Sequence, residues 1–201
     1  MVGSVTSSPK RGPRGPYHSG REARRAILDA ARAVFAEHGF RGGVLRDVAV
    51  RAGVSAGNII HHFGSKEALL VALLEQRDVG AGMELRAAPG GFVAGLRALV
   101  RRNAADRDMI RLFTTLAAEA TAPDHPAHDF FRERYASVSR ETTTAVRAAR
   151  EEGDLPSGPP ADRLAAGLIA VMDGLQTRWL LDPDFDMVAA FDAHLEAIGA
   201  G

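Results

Sequence analysis

Between Arg46 and Lys66 the chain places Arg46, Ser55, Asn58, His61, His62 and Lys66 within a short span, with Asp47 as the one carboxylate among them. These side chains suit recognition of anionic oxygens and base edges. Arg46 can fork onto a phosphate or a guanine, Asn58 can bond an adenine in a bidentate way, and lysine is a point charge for phosphate. A second constellation lies further on, Asp124-His125-x-x-His128-Asp129. Two imidazoles three positions apart with flanking carboxylates could hold a divalent metal. Alternatively, Asp124 or His125 caps a helix that Pro126 starts, which is the preferred reading. There is no HExxH, no phosphate-cradling glycine loop, and no Ser or Cys nucleophile in a recognisable setting. A metal-binding helical-bundle hydrolase is therefore the alternative reading, and the chain is not expected to be an enzyme or to carry a metal or cofactor.

The elements that must position the first set can be read from spacing. Leu45, Val48 and Ala49 recur at helical intervals, so 46–52 can bury one face. Gly53 then ends that helix in a left-handed conformation that costs glycine little. Val54 plugs the corner, and Ser55 is a good N-cap for the next helix. That second helix, 56–62, points Ile59 and Phe63 inward and leaves Ala56, Gly57, Asn58, Ile60 and His61 outward. Two helices joined by a tight glycine-bearing turn are the helix-turn-helix geometry, whose second helix enters a DNA major groove.

The stretch RDVAVRAGVSAGNIIHHFGSKEALL resembles the DNA-binding motif of the TetR family of transcriptional repressors. ARRAILDAARAVFAEHGF upstream resembles that family's first helix and its Gly-Phe exit. Ala49, Gly53, Phe63, Lys66 and the pair Gly39-Phe40 fall into step, and the likeness covers about the first third of the chain. Three positions depart from the family's pattern. Gly43 stands where a capping Thr or Ser is common, Asn58 where Thr is common, and Ile60 where Tyr reaches a phosphate or a thymine methyl. Ile60 can touch a methyl but cannot bond a phosphate, so the base preference is not readable. The resemblance implies DNA contacts from Arg46, Ser55, Ala56, Gly57, Asn58, Ile60, His61 and Lys66, with His61 on the backbone and His62 partly structural. DGLQTRWLLDP near the C-terminus resembles a segment of one C-terminal subgroup of the same family.

Charge agrees with that division. Residues 1–66 carry eleven Lys or Arg against four Asp or Glu, whereas residues 67–201 carry fourteen against twenty-one, so the overall neutrality hides a basic N-terminal third. An acidic remainder argues against a DNA architectural protein that binds without sequence preference, the third class of function considered. With no cysteine there is no disulfide framework or thiolate site. The opening residues are basic and broken by Pro and Gly, unlike a signal peptide, and no apolar run is long enough for a membrane, so a cytoplasmic protein is expected.

The remaining pattern is helical throughout, which predicts an all-α fold of about nine helices. Residues 1–18 read as a disordered basic arm whose Lys10, Arg11 and Arg14 could reach a minor groove. Residues 19–66 read as the DNA-binding domain, opened by a Ser19-x-x-Glu22 capping box, with Ile27, Leu28, Ala31, Val34, Phe35 and His38 on one face. Residues 67–201 read as an effector-binding and dimerisation domain. Further helices are expected over 66–86, 92–105, 107–120, 127–151, 162–181 and 186–198.

The helix AGLIAVMDGLQTRWLL is apolar nearly all round, and the last helix has an apolar stripe with nothing after it in the chain to cover it. A two-fold four-helix interface is therefore expected, using Leu168, Val171, Gly174, Leu175, Met187, Phe191 and Leu195. Two-fold symmetry suits a palindromic operator with half-sites one DNA turn apart. By resemblance a small-molecule effector enters among the fifth to eighth helices and releases the DNA. Candidate lining residues are Met109, Phe113, Leu116, Phe130, Arg134, Tyr135, Met172, Asp173, Gln176 and Trp179. Of these Asp173 and Gln176 stand out, as polar groups in an apolar helix that need a partner.

Overall fold

The computed structural model describes the backbone of residues 16–87 and 89–200, and the side chains of 20–80 and 89–200. Among the described residues there are nine helices and no strand. In order they are α1 (Pro16–Gly42), α2 (Leu45–Ala52), α3 (Ala56–Phe63), α4 (Lys66–Ala87), α5 (Gly91–Ala105), α6 (Arg107–Glu119), α7 (His128–Glu151), α8 (Ala161–Leu181) and α9 (Met187–Ala197). The proposed arm contacts of Lys10, Arg11 and Arg14 lie outside the described residues. Pro16 to His18 already belong to α1, so Ser19 sits within the helix and cannot be its N-cap. Proline is favourable in a first turn, where its missing N–H has no partner to lose.

α1 breaks at Gly39, whose φ of 68° lies in the left-handed region. That break turns Phe40 back into the core, edge-on to Phe35 with ring centroids 5.6 Å apart. His38, expected on the buried face, is exposed and lies 3.7 Å from Glu37. Gly43 has a packing reason to lack a side chain: a Cβ there would lie 2.7 Å from Cδ1 of Phe35. α2 starts after Val44 rather than from a capping side chain at position 43.

Two apolar cores form. The first joins α1–α4 to α6 and the start of α7, with Ile27, Phe35, Ile59, Leu70, Leu74, Phe113 and Leu116 at its centre. The second is built from α5, the later part of α7, α8 and α9. Thus α6, from beyond residue 66, shares its core with the N-terminal helices.

The apolar stripe of α9 is not left open. Met187, Phe191 and Leu195 are buried in the second core together with Leu168, against α5 and the rest of α8. Those four expected interface residues are therefore core residues of one subunit. Small side chains recur among the solvent-exposed positions of α8 and α9, Ala166, Ala170, Gly174 and Thr177 with Leu181, and Ala189, Ala193 and Ala197, beside the charged Asp162, Arg163, Arg178 and Glu196. Val171 and Leu175 are half-buried. No helix among the described residues is long and apolar enough to cross a membrane.

Candidate nucleic-acid interface and ligand cleft

α2 and α3 are held by three local devices. Gly53 takes φ 68°, and its N–H and that of Val54 close on the last carbonyls of α2, Val54 to Ala49 at 3.0 Å. The Ser55 hydroxyl accepts from the Asn58 N–H at 3.1 Å, so it caps α3 and keeps its own O–H free to donate. Ile59 is fully buried, Phe63 is partly buried beneath the guanidinium of Arg24, and Arg51 of α2 donates to Glu37 of α1 at 2.9 Å. The Arg51 hydrogen bond holds the Glu37 carboxyl below its ordinary pKa.

With Ile59 anchored, α3 presents Ala56, Gly57, Ile60 and His61 to solvent, and Arg46 of α2 is exposed on the same motif. Ile60 is 43% exposed, large for an isoleucine with no partner in its own chain. Asn58 differs from expectation. It is half-buried, and its Oδ1 is enclosed without accepting a hydrogen bond. A bidentate adenine contact needs both amide atoms in the groove, so in this conformation Asn58 supports the motif more than it reads a base. His62 is half-buried, between the rings of His61 and Phe63. Lys66 opens α4 behind the Ser65 cap, whose hydroxyl accepts from Ala68 N–H at 3.0 Å. Its Nζ lies 4.4 Å from the centroid of the Phe40 ring.

The Asp124–Asp129 constellation does structural work. Nδ1 of His125 accepts from the Ala127 N–H at 3.2 Å, ahead of the first residue of α7. Nδ1 of His128 donates to the Ala120 carbonyl at 2.9 Å. His125 is buried edge-on to Phe40, with centroids 6.2 Å apart, which ties the α6–α7 turn to the end of α1. No cluster of three or more potential ligands for a metal occurs among the described residues.

The ten effector candidates do not form one pocket. Met109 and Leu116 are buried in the first core. Met172 and Gln176 face α5, where Asn103 Nδ2 lies 4.0 Å from Met172 Sδ. Trp179 lies under the Arg107 guanidinium at 4.6 Å. Phe113, Arg134, Tyr135 and Asp173 do come together: Tyr135 donates to Asp173 at 2.7 Å, and Arg134 lies 4.6 Å from the Phe113 ring centroid. Burial and the adjoining Asp173 carboxylate push the Tyr135 phenol up to about 12.

Arg134 and Phe130 also line a cleft of about 1540 Å³ bounded by α4, α5 and α7. Its other walls include Asp78, Phe92, Leu99 and Val138, none of them singled out from sequence. One signal for this region was present. Leu70, Leu73, Leu74 and Arg77 share a helical face, so a charged residue occupies a core-facing register.

Residues 27–73 match the model for bacterial regulatory proteins of the tetR family. Residues 92–200 match that for the C-terminal part of BetI-type transcriptional repressors. The chain belongs to the TetR family. It is a DNA-binding transcriptional regulator. A transcriptional repressor of Mycobacterium tuberculosis, Rv1474c, is 33% identical over 83% of this chain and 87% of its own. A protein described as a TetR-family transcriptional regulator of Rhodococcus shares the fold with a TM-score of 0.77 at 23% identity, over 89% of this chain and 98% of that one. A transcriptional regulator described from Saccharomonospora viridis, solved in complex with choline, gives 0.71 at 25% identity over 88% and 95%.

Proposed function

We propose that this TetR-family regulator is a homodimeric repressor, held on a palindromic operator in the cytoplasm and released by a small molecule. The observation that carries the reading is that α3 keeps its core contacts through Ile59 while Ala56, Gly57, Ile60 and His61 stay uncovered beside the α4 N-terminus. A surface held that firmly yet left open suits insertion between duplex edges, with Arg46, Ser55 and Lys66 on the sugar-phosphate chain. The small-residue faces of α8 and α9 support a close two-fold helix packing that duplicates α3. The choline-bound neighbour supports a ligand acting through this fold, without carrying over the identity of that ligand. Repression follows the M. tuberculosis relative's name.

Selection of bound sequences from random duplexes, followed by measurement of stoichiometry on the enriched site, tests this. An inverted repeat occupied by an even number of chains is expected. Failure to enrich any sequence, or enrichment of an asymmetric site bound by one chain, overturns it.

A further inference from the structure

Arg134 lies against two aromatic rings at the wall of the α4–α5–α7 cleft. Its Nε donates to both oxygens of Asp78, at 3.0 and 2.8 Å. Arg77 donates to the same carboxylate at 3.0 Å and stacks on Phe113, its guanidinium carbon 3.9 Å from the ring centroid. One carboxylate thus serves two guanidinium groups whose side chains are only 8% and 14% exposed. Burial, then the charge of Arg134, pushes Arg77 down to about 10, so Arg77 remains cationic at neutral pH. The rings of Phe113 and Tyr135 fix the plane of Arg134, at 4.6 and 5.5 Å. Its terminal Nη1 and Nη2 groups donate to no described residue, and Arg134 lines the α4–α5–α7 cleft. A guanidinium clamped on its Nε side, with no partner for its fork among the described residues, is prepaid in orientation for a bidentate carboxylate or similar oxyanion. The walls beyond it carry Phe92, Leu99, Phe130 and Val138, together with Thr142, Thr144 and a second arginine, Arg140.

We propose that this cleft takes an amphipathic organic anion, its acid group on the open fork of Arg134 and its apolar body against Phe92, Leu99 and Phe130. This rests on the reading of the chain as a ligand-responsive regulator, and it supplies the ligand class. Glu75, Glu133, Glu141 and Glu152 also line the cleft and are exposed to water. They would attract the opposite class, an organic cation, which makes the head group the discriminating variable.

The test is calorimetric titration of the full chain with decanoate, decanol and decyltrimethylammonium, all below micelle formation. Decanoate is expected to bind at least about tenfold more tightly than the other two, since a charge-assisted hydrogen bond is at stake. Arg134→Lys, which keeps the charge and loses the fork, is expected to weaken decanoate by roughly tenfold or more. Equal or tighter binding of the cation overturns the proposal, as does no binding of decanoate, or an Arg134→Lys chain that folds and binds decanoate unchanged. The head-group comparison on the unsubstituted chain decides the matter even where Arg134→Lys fails to fold. Duplex binding measured with no probe present keeps the two readings apart. DNA binding without decanoate binding overturns the anion site alone, whereas decanoate binding without DNA binding upholds the site and overturns the regulator.

Discussion

The Lys66 ammonium sits 4.4 Å from the centroid of the Phe40 ring, at the first residue of α4. A cation over an aromatic face gains about 0.5–1 kcal/mol at an exposed site. That is enough to hold the side chain near the helix start and little enough to release it to a phosphate. Free N–H groups at the same helix end favour the same anion. Lys66→Ala is expected to weaken binding to every duplex and to lower the salt slope by about one, because one released counterion is lost. Affinity measured across a salt series checks this; an unchanged slope removes Lys66 from the backbone contacts.

Gly43 supports the motif from behind. A methyl group there meets Cδ1 of Phe35 at 2.7 Å and the Gly39 carbonyl oxygen at 3.1 Å. Phe35 is fully buried and has nowhere to retreat. Gly43→Ala is expected to cost about 1–3 kcal/mol through overpacking. Denaturant unfolding measures it. A neutral or stabilising result would mean that the α1–α2 corner relaxes freely.

The Tyr135–Asp173 hydrogen bond has a spectroscopic signature. Burial and Asp173 hold the phenol to about 12, against 10.0 for a free tyrosine. The folded chain therefore keeps a proton that the unfolded chain releases, so this contribution to stability is complete below pH 10 and is lost as pH rises toward 12. The phenolate absorbance that disappears in Tyr135→Phe is expected to develop near pH 12. Titration near pH 10 would show that the phenol is not so enclosed.

The helix-turn-helix and the helix boundaries beyond α1 are legible because they depend on local chemistry, whereas the Ser19 capping box falls inside α1. Gly53, Ser55 and Ser65 each act through neighbours within a few residues, and spacing records that directly. Pairing between distant helices was not legible. The stripe Met187, Phe191 and Leu195 looked uncovered because α5, the helix that covers it, lies about ninety residues earlier. For the same reason the sequence marks Arg134 without revealing its Asp78 partner, since 56 residues separate them. Helical phase points Asn58 outward, which assigns a direction but not the depth to which its surroundings enclose the amide.

The corrected surface of α8 leads to a sharper expectation about assembly. Ala166, Ala170, Gly174, Thr177 and Leu181 recur every three or four residues on the solvent side, and Leu181 is 83% exposed. A row of small side chains lets another helix approach closely, and a large leucine at its end gives that partner something apolar to cover. A Cβ added at Gly174 meets nothing within 4 Å in its own subunit, so substitution there leaves the monomer's packing intact. Glycine inside a helix is unfavourable by about 0.5–1 kcal/mol relative to alanine, which is understandable where an approaching helix needs the space. Gly174→Arg is therefore expected to keep full helicity while converting the chain to a monomer in sedimentation. Operator affinity should fall much further than with Lys66→Ala, because one recognition helix, not one phosphate contact, leaves the complex. Gly174→Ala should remain dimeric or weaken only slightly, which separates bulk and charge from the loss of glycine itself. A Gly174→Arg chain that still sediments as a dimer would place the subunit contact on another face, and the spacing of the two α3 helices would then have to be set from there.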